Sequence, residues 1–200
     1  MTRTWEELFE RAAAYDVSEA DVRTTLETVR SDEDEGDGDG RSDEPTAPSP
    51  ARVVADADVL AADLLVGGDS RSALDHVRRH SWMTLVASDA LLDDAAAVVA
   101  RLADETLATD WRERCAAWRE PVDHPAADHP GLASAYRGGA MHLLSFDERL
   151  GSARAGASLQ GRVPLSVRSP RAFATLFDAE SLYREVVGDD YPGPDRGPRE

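Results

Sequence analysis

The chain has 200 residues, 21.6 kDa, 42% apolar residues and one cysteine, which is enough for one ordinary domain plus an appendage and excludes an internal disulfide or a cysteine-based zinc site. Its 39 acidic residues outnumber 22 basic ones, all arginine with no lysine, for a formal charge of -17; the composition suits a protein that stays hydrated in concentrated salt. Such charge repels nucleic acid at low ionic strength, but in molar salt the Debye length falls to roughly 3 Å and only local cations decide whether a phosphate approaches.

In chain order, Trp5, Leu8 and Phe9 stand at helical spacing between residues 4 and 14. Ser18 followed by Glu19, Ala20 and Asp21 predicts a capped second helix to about residue 30. Residues 1–30 therefore read as a helical hairpin, whose apolar face must be buried, by a second copy, by a protein partner or otherwise. Residues 31–50 contain Asp, Glu, Gly, Ser and Pro with no large apolar residue, and read as a disordered acidic linker. The N-terminus lacks a signal-peptide core and no apolar run approaches the roughly 20 residues of a membrane span, so a cytoplasmic protein without a membrane partner is expected.

A main domain is expected over residues 51–188. Val53-Val54-Ala55 predicts a strand ending at Asp56, with helical signals through about His80. Thr84-Leu85-Val86-Ala87 predicts the next strand, and Ser88 caps a helix to about Ala103. Another helix is predicted over Thr106 to Trp118. Asp128, before Pro130, marks a helix to Arg137 that Gly138-Gly139 stops. Met141 to Ser145 predict a strand leading to Asp147, which could cap a helix containing Glu148, Arg149 and Leu150, and Arg162 to Val167 a last strand. Residues 189–200 read as a flexible tail. Strands alternating with helices imply a three-layer α/β/α arrangement around a parallel sheet of four or five strands.

Ligands of such sheets bind beyond the carboxyl ends of the strands, where Asp56 and Asp147 fall. Asp58 can face the same side as Asp56. On the helix after Ser88, Asp89 and Asp93 lie on a stripe with little to bury, whereas Asp94 lies between Leu91 and Val98 and points to the core. A buried carboxylate there costs several kcal/mol unless compensated, and a divalent cation would compensate it. Asp128 and Asp147 each also have a plain structural reading as helix caps. Together the four acids suit a hard cation such as Mg²⁺ or Mn²⁺.

The runs Val53-Val54-Ala55-Asp56-Ala57-Asp58-Val59-Leu60 and Leu143-Leu144-Ser145-Phe146-Asp147-Glu148-Arg149-Leu150 resemble the opening and later strands of PIN domains. Ser88 to Asp94, and Asp128 with Leu132, Ala133, Ala135 and Gly139-Ala140, are similar to the segments carrying that family's second and third acids. The resemblance spans roughly Arg52 to Phe177. It implies a metal-dependent ribonuclease acting on RNA, with Asp56, Asp94, Asp128 and Asp147 as catalytic metal ligands and Ser145 supporting them; Asp58, read from its position as a ligand or a group orienting Asp56, replaces the Asn or Ser usual there. A fold-retaining module that binds RNA or regulates without cleaving is the alternative. Asp56-Ala57-Asp58-Val59-Leu60 also resembles the opening motif of haloacid dehalogenase-like phosphatases, but that family needs a later basic residue, usually lysine, and this chain has none.

Among other residues, His76 and His80 stand four apart and read as a solvated helix face. Trp82, Trp111 and Trp118 read as packing residues. Arg71, Arg78, Arg79, Arg149, Arg154 and Arg162 read as scattered surface arginines, or as phosphate contacts near the pocket mouth.

Overall fold

Val53, Val54 and Ala55 are consecutive apolar residues with no accessible surface, the mark of a strand covered on both faces. They belong to β1 (Ser49–Ala55), the middle strand of a five-stranded sheet in the computed structural model, which describes residues 3–32, 45–125, 128–150 and 165–200. Its partners are β2 (Thr84–Ala87), β3 (Glu120–Pro121), β4 (Ala140–Leu144) and β5 (Ser166–Arg168), in the order β3-β2-β1-β4-β5. Every pairing is parallel; Val53 lies opposite Leu85, and Ala55 opposite Leu144. The expected three-layer α/β architecture with a parallel sheet and an N-terminal helical hairpin is thus what the chain adopts.

The hairpin is α1 (Trp5–Ala12) and α2 (Glu19–Asp32). Thr4 and Glu7 cap α1 reciprocally: the Glu7 N–H donates to Thr4 Oγ1 and the Thr4 N–H donates to Glu7 Oε2 at 2.9 Å. Ser18 and Asp21 repeat the device at α2. Trp5, Leu8, Phe9 and Ala12 on α1, with Val22, Leu26 and Val29 on α2, are buried in the same core as the sheet residues Val53, Leu85 and Leu143. The apolar face expected to seek a second copy or a protein partner is therefore covered intramolecularly, α1 lying on α6 (Glu105–Trp118) and α2 on α5 (Asp89–Leu102).

The helical stretch after Asp56 is two helices, α3 (Ala57–Leu65) and α4 (Gly68–Arg78). Gly67 and Gly68 break it with φ of 79° and 55°, a left-handed geometry open to glycine at little cost. The helix expected from Asp128 is α7 (Pro130–Arg137), and its cap is His129. Proline is favoured at the first helical position, which makes the residue directly before it the cap. Residues 148–150 form a turn, and the helix expected there would continue outside the described residues. The last strand is three residues, offset toward Arg168 from the expected span, part of which also lies outside them. After β5 come α8 (Pro170–Leu176) and α9 (Ala179–Val186).

Residues 189–200, expected as a flexible tail, run back across the hairpin side. Asp195 accepts the Ser81 N–H at 2.8 Å, Arg199 pairs with Asp75 at 2.7 Å, and the Arg199 carbonyl accepts the Glu6 N–H at 3.1 Å. Tyr191 Oη lies 2.6 Å from His80 Nε2, and His80 Nδ1 lies 2.6 Å from the His76 carbonyl. His80 is thus a buried, hydrogen-bonded histidine and His76 stacks on Phe177, rather than the pair forming a solvated face. Trp111 is fully buried, Trp118 meets Trp5 edge-on and Trp82 meets Tyr183 edge-on, so all three tryptophans pack as expected.

Cys115 is buried on α6, and burial pushes its thiol far above the usual range. Because only the thiolate attacks disulfide reagents, native protein is expected to give no colour with a thiol-specific disulfide reagent at pH 8, and one equivalent after denaturation. Rapid labelling of the native chain would contradict this burial.

Candidate functional site

Asp56 closes β1: its N–H donates to the Leu144 carbonyl at 2.8 Å, extending the β1–β4 ladder by one step. Its backbone is extended and its Oδ1 accepts the Ala57 N–H at 2.9 Å, so it also caps α3. Position is thus set by the sheet and orientation by the helix start. Asp58, in the first turn of α3, points back toward the loop after β4, where its Oδ2 accepts the Phe146 N–H at 3.1 Å.

Ser145 stands between these two acids. Its Oγ lies 3.2 Å from Asp56 Oδ2 and 3.5 Å from Asp58 Oδ2, and accepts the Asp147 N–H at 3.0 Å. One hydroxyl proton serves one acid at a time, so Ser145 tethers the β1 acids to the β4 loop. Asp147 follows, partly exposed, and the Arg149 guanidinium bound to it holds its carboxyl below the usual range.

Asp94 reaches the site from α5. Its residue is 3% exposed, as the helical stripe predicts, while Asp89 and Asp93 face outward and pair with Arg112. The compensating charge is Arg30, from the last turn of α2. Arg30 Nε donates to Asp94 Oδ2 at 2.9 Å and Nη2 donates to Asp56 Oδ1 at 2.8 Å. Two buried acids, Asp56 and Asp94, thus share one guanidinium, and buried Asp58 stands beside Asp56. Burial pushes Asp58 up to about 7, with the Asp56 charge adding to the shift.

Asp128 is solvent-exposed, and it is the neighbouring His129 that turns inward, with Nε2 3.9 Å from Asp56 Oδ2 and 3.3 Å from Arg30 Nη1. Its Nδ1 is also 3.5 Å from the Leu132 N–H. A neutral imidazole has one acceptor nitrogen, so the ring can satisfy Leu132 or Arg30, not both. Burial holds this histidine below its ordinary pKa, which keeps it neutral. The first turn of α7 comes equally close: a Cβ on Gly131 would stand 3.2 Å from Asp56 Oδ1.

The acids thus sit beside a cleft of about 650 Å³ whose walls include Arg23 and Leu26 of α2, Arg30, Asp56, Asp58 and Asp147. Of the expected residues, Asp56, Asp58, Ser145 and Asp147 are brought together directly and Asp94 joins through Arg30, whereas Asp128 does not point inward with them. Arg30 and His129 belong to the site and are not singled out by the sequence pattern, although Arg30 falls four residues after buried Leu26. Of the arginines considered as phosphate contacts, Arg78 is buried against Asp63 and Asp75, and Arg71 bonds backbone carbonyls. Arg154 and Arg162 lie outside the described residues.

The donor chemistry fits a hard cation, being carboxylate and hydroxyl oxygens at strand ends. The spacing does not yet suit one: among the described residues no three acid, histidine or cysteine side chains stand at metal-holding distances, and Arg30 lies between Asp56 and Asp94.

Fold and site together define an α/β protein with an acidic pocket at the carboxyl end of a parallel sheet. The chain belongs to a family of unknown function, DUF7384, whose model matches residues 47–199. No curated protein and no solved structure matches it. The matched span contains Asp56, Asp94, Asp128 and Asp147 and leaves out the hairpin that supplies Arg30.

Proposed function

We propose that this protein is a metal-dependent ribonuclease of the PIN type, hydrolysing RNA phosphodiesters with Mg²⁺ or Mn²⁺ held by Asp56, Asp94 and Asp147. The observation that carries the reading is the convergence of Asp56, Asp58 and Ser145 at the ends of adjacent parallel strands, with Asp94 joined to them from α5. Asp128 enters through the PIN resemblance alone, since its side chain is exposed.

When bound, the cation would lower the pKa of a water and neutralise charge on the scissile phosphate. The chain's own residues prepare the place. Ser145 and the Ala57 N–H fix the Asp56 carboxylate, and the Phe146 N–H fixes Asp58. His129 stands beside Asp56, its Nε2 3.9 Å from Asp56 Oδ2. Net charge of -17 opposes RNA binding at low salt, so assays belong in molar KCl, where that repulsion is screened.

Purified protein with Mn²⁺ in molar KCl is expected to cleave single-stranded or structured RNA, and Asp56→Asn or Asp147→Asn to reduce cleavage to background with the far-ultraviolet dichroism unchanged. Cleavage surviving in both variants would place the activity elsewhere. The Arg30 ion pairs favour a second reading, an RNA-binding or regulatory module without turnover, because they already satisfy Asp56 and Asp94. Filter binding separates the two: RNA retained by wild type without cleavage at any Mn²⁺ concentration supports the second. No helix among the described residues is long and apolar enough to cross a membrane.

A further inference from the structure

The acid pocket already contains a cation, and it comes from a different part of the chain. Arg30 engages the site with all three guanidinium nitrogens: Nε with Asp94, Nη2 with Asp56, and Nη1 beside His129 Nε2. These are the two most buried acids of the proposed quartet, at 1% and 3% residue exposure. A divalent ion bound between them would take the same oxygens and would stand against a positive group, so both cannot occupy the place at once.

Arg30 is not a wandering surface side chain. It extends from a helix seated on the domain by Val22, Leu26 and Val29, with Arg101 pairing to Asp32 just beyond it at 2.8 Å. The guanidinium is thereby presented to the acids as long as α2 is docked. The rest of α2 forms a wall of the cleft through Arg23, Leu26 and Glu27, so docking of the helix also narrows the approach to Asp56.

We infer that Arg30 is a built-in competitor of the metal ion and that α2 is an autoinhibitory gate, the site loading its cation only when Arg30 withdraws. This inference rests on the reading of the pocket as a divalent-cation site. It separates two states of one chain. With Arg30 in place the acids are neutralised from within and the cleft is narrowed. With Arg30 withdrawn Asp56 and Asp94 are free for a cation, and the Nη1 contact on the His129 ring is relieved.

The test is Mn²⁺ binding to the full chain in molar KCl, followed by the electron paramagnetic resonance signal of free Mn²⁺, with no RNA present. Arg30→Gln, which keeps hydrogen-bonding capacity but no charge, is expected to bind Mn²⁺ about tenfold or more tightly than wild type, a size usual for coupled sites. In wild type, saturating Mn²⁺ is expected to speed amide hydrogen exchange across residues 26–32, reporting release of the last turn of α2. Equal or weaker Mn²⁺ affinity in Arg30→Gln, with wild type binding, overturns the gate while leaving the metal site intact. Binding by neither protein overturns the gate and the metal reading together. Should Arg30→Gln fail to fold by circular dichroism, the wild-type exchange measurement decides: unchanged exchange at saturating Mn²⁺ overturns the inference.

Discussion

Replacing Arg78 by leucine is expected to cost about 3–5 kcal/mol of folding stability, because it strips the partner from a charge the fold has taken out of water. Arg78 is 4% exposed, and its Nη1 donates to Asp63 Oδ1 at 3.0 Å and to Asp75 Oδ1 at 3.1 Å, with Nη2 completing a fork on Asp63. Asp63 is itself 1% exposed, so the leucine variant leaves a carboxylate with no water to solvate it. Asp75 retains Arg199, so the loss falls chiefly on Asp63. Urea denaturation in molar KCl measures it, and the double variant Arg78→Leu with Asp63→Leu should recover much of the loss, since removing both charges spares the desolvation. A single variant within 0.5 kcal/mol of wild type, the range of ordinary surface substitutions, would refute this account.

Trp5→Ala is expected to cost a similar amount, about 3–5 kcal/mol, the range for a buried tryptophan truncated to alanine. The indole is 2% exposed, meets Trp118 edge-on at 5.3 Å, and lies under the Arg78 guanidinium at 4.1 Å. Its removal opens a cavity and uncovers the Arg78 network, so losses at positions 5 and 78 should not add. Trp5 precedes the span shared with the family, so a large loss shows that the hairpin is part of the domain's core. An unchanged urea midpoint in Trp5→Ala would mean that α1 contributes little to stability.

Much of the architecture was legible because it rests on periodicities that local sequence carries. The stripe through Leu91 and Val98 fixed the inward turn of Asp94, and the apolar run ending at Asp56 fixed its place at a strand end. Other features depend on a single residue or a distant one. Proline at position 130 hands the cap to His129, a one-residue distinction that also turns Asp128 outward. Strand β3 is only Glu120–Pro121 and has no apolar pattern to read. Arg30 was not legible because its targets are 26 and 64 residues away, although a count of buried acids does call for an interior cation. The order of residues 189–200 rests on the Asp195 and Arg199 contacts, whose partners Ser81 and Asp75 are more than a hundred residues away and leave no local pattern to read.

The parallel topology also bears on how the molecule folds. Because β1 lies between β2 and β4, no strand of the central trio can pair through a tight hairpin, and each contact closes a long crossover before yielding anything in return. Ser145 and Asp56, 89 residues apart, meet only once β4 has found β1. The pocket is thus assembled from long-range contacts: Arg30 meets Asp94 across 64 residues of chain, so the acids gain their internal counter-charge only when α2 and α5 have both docked.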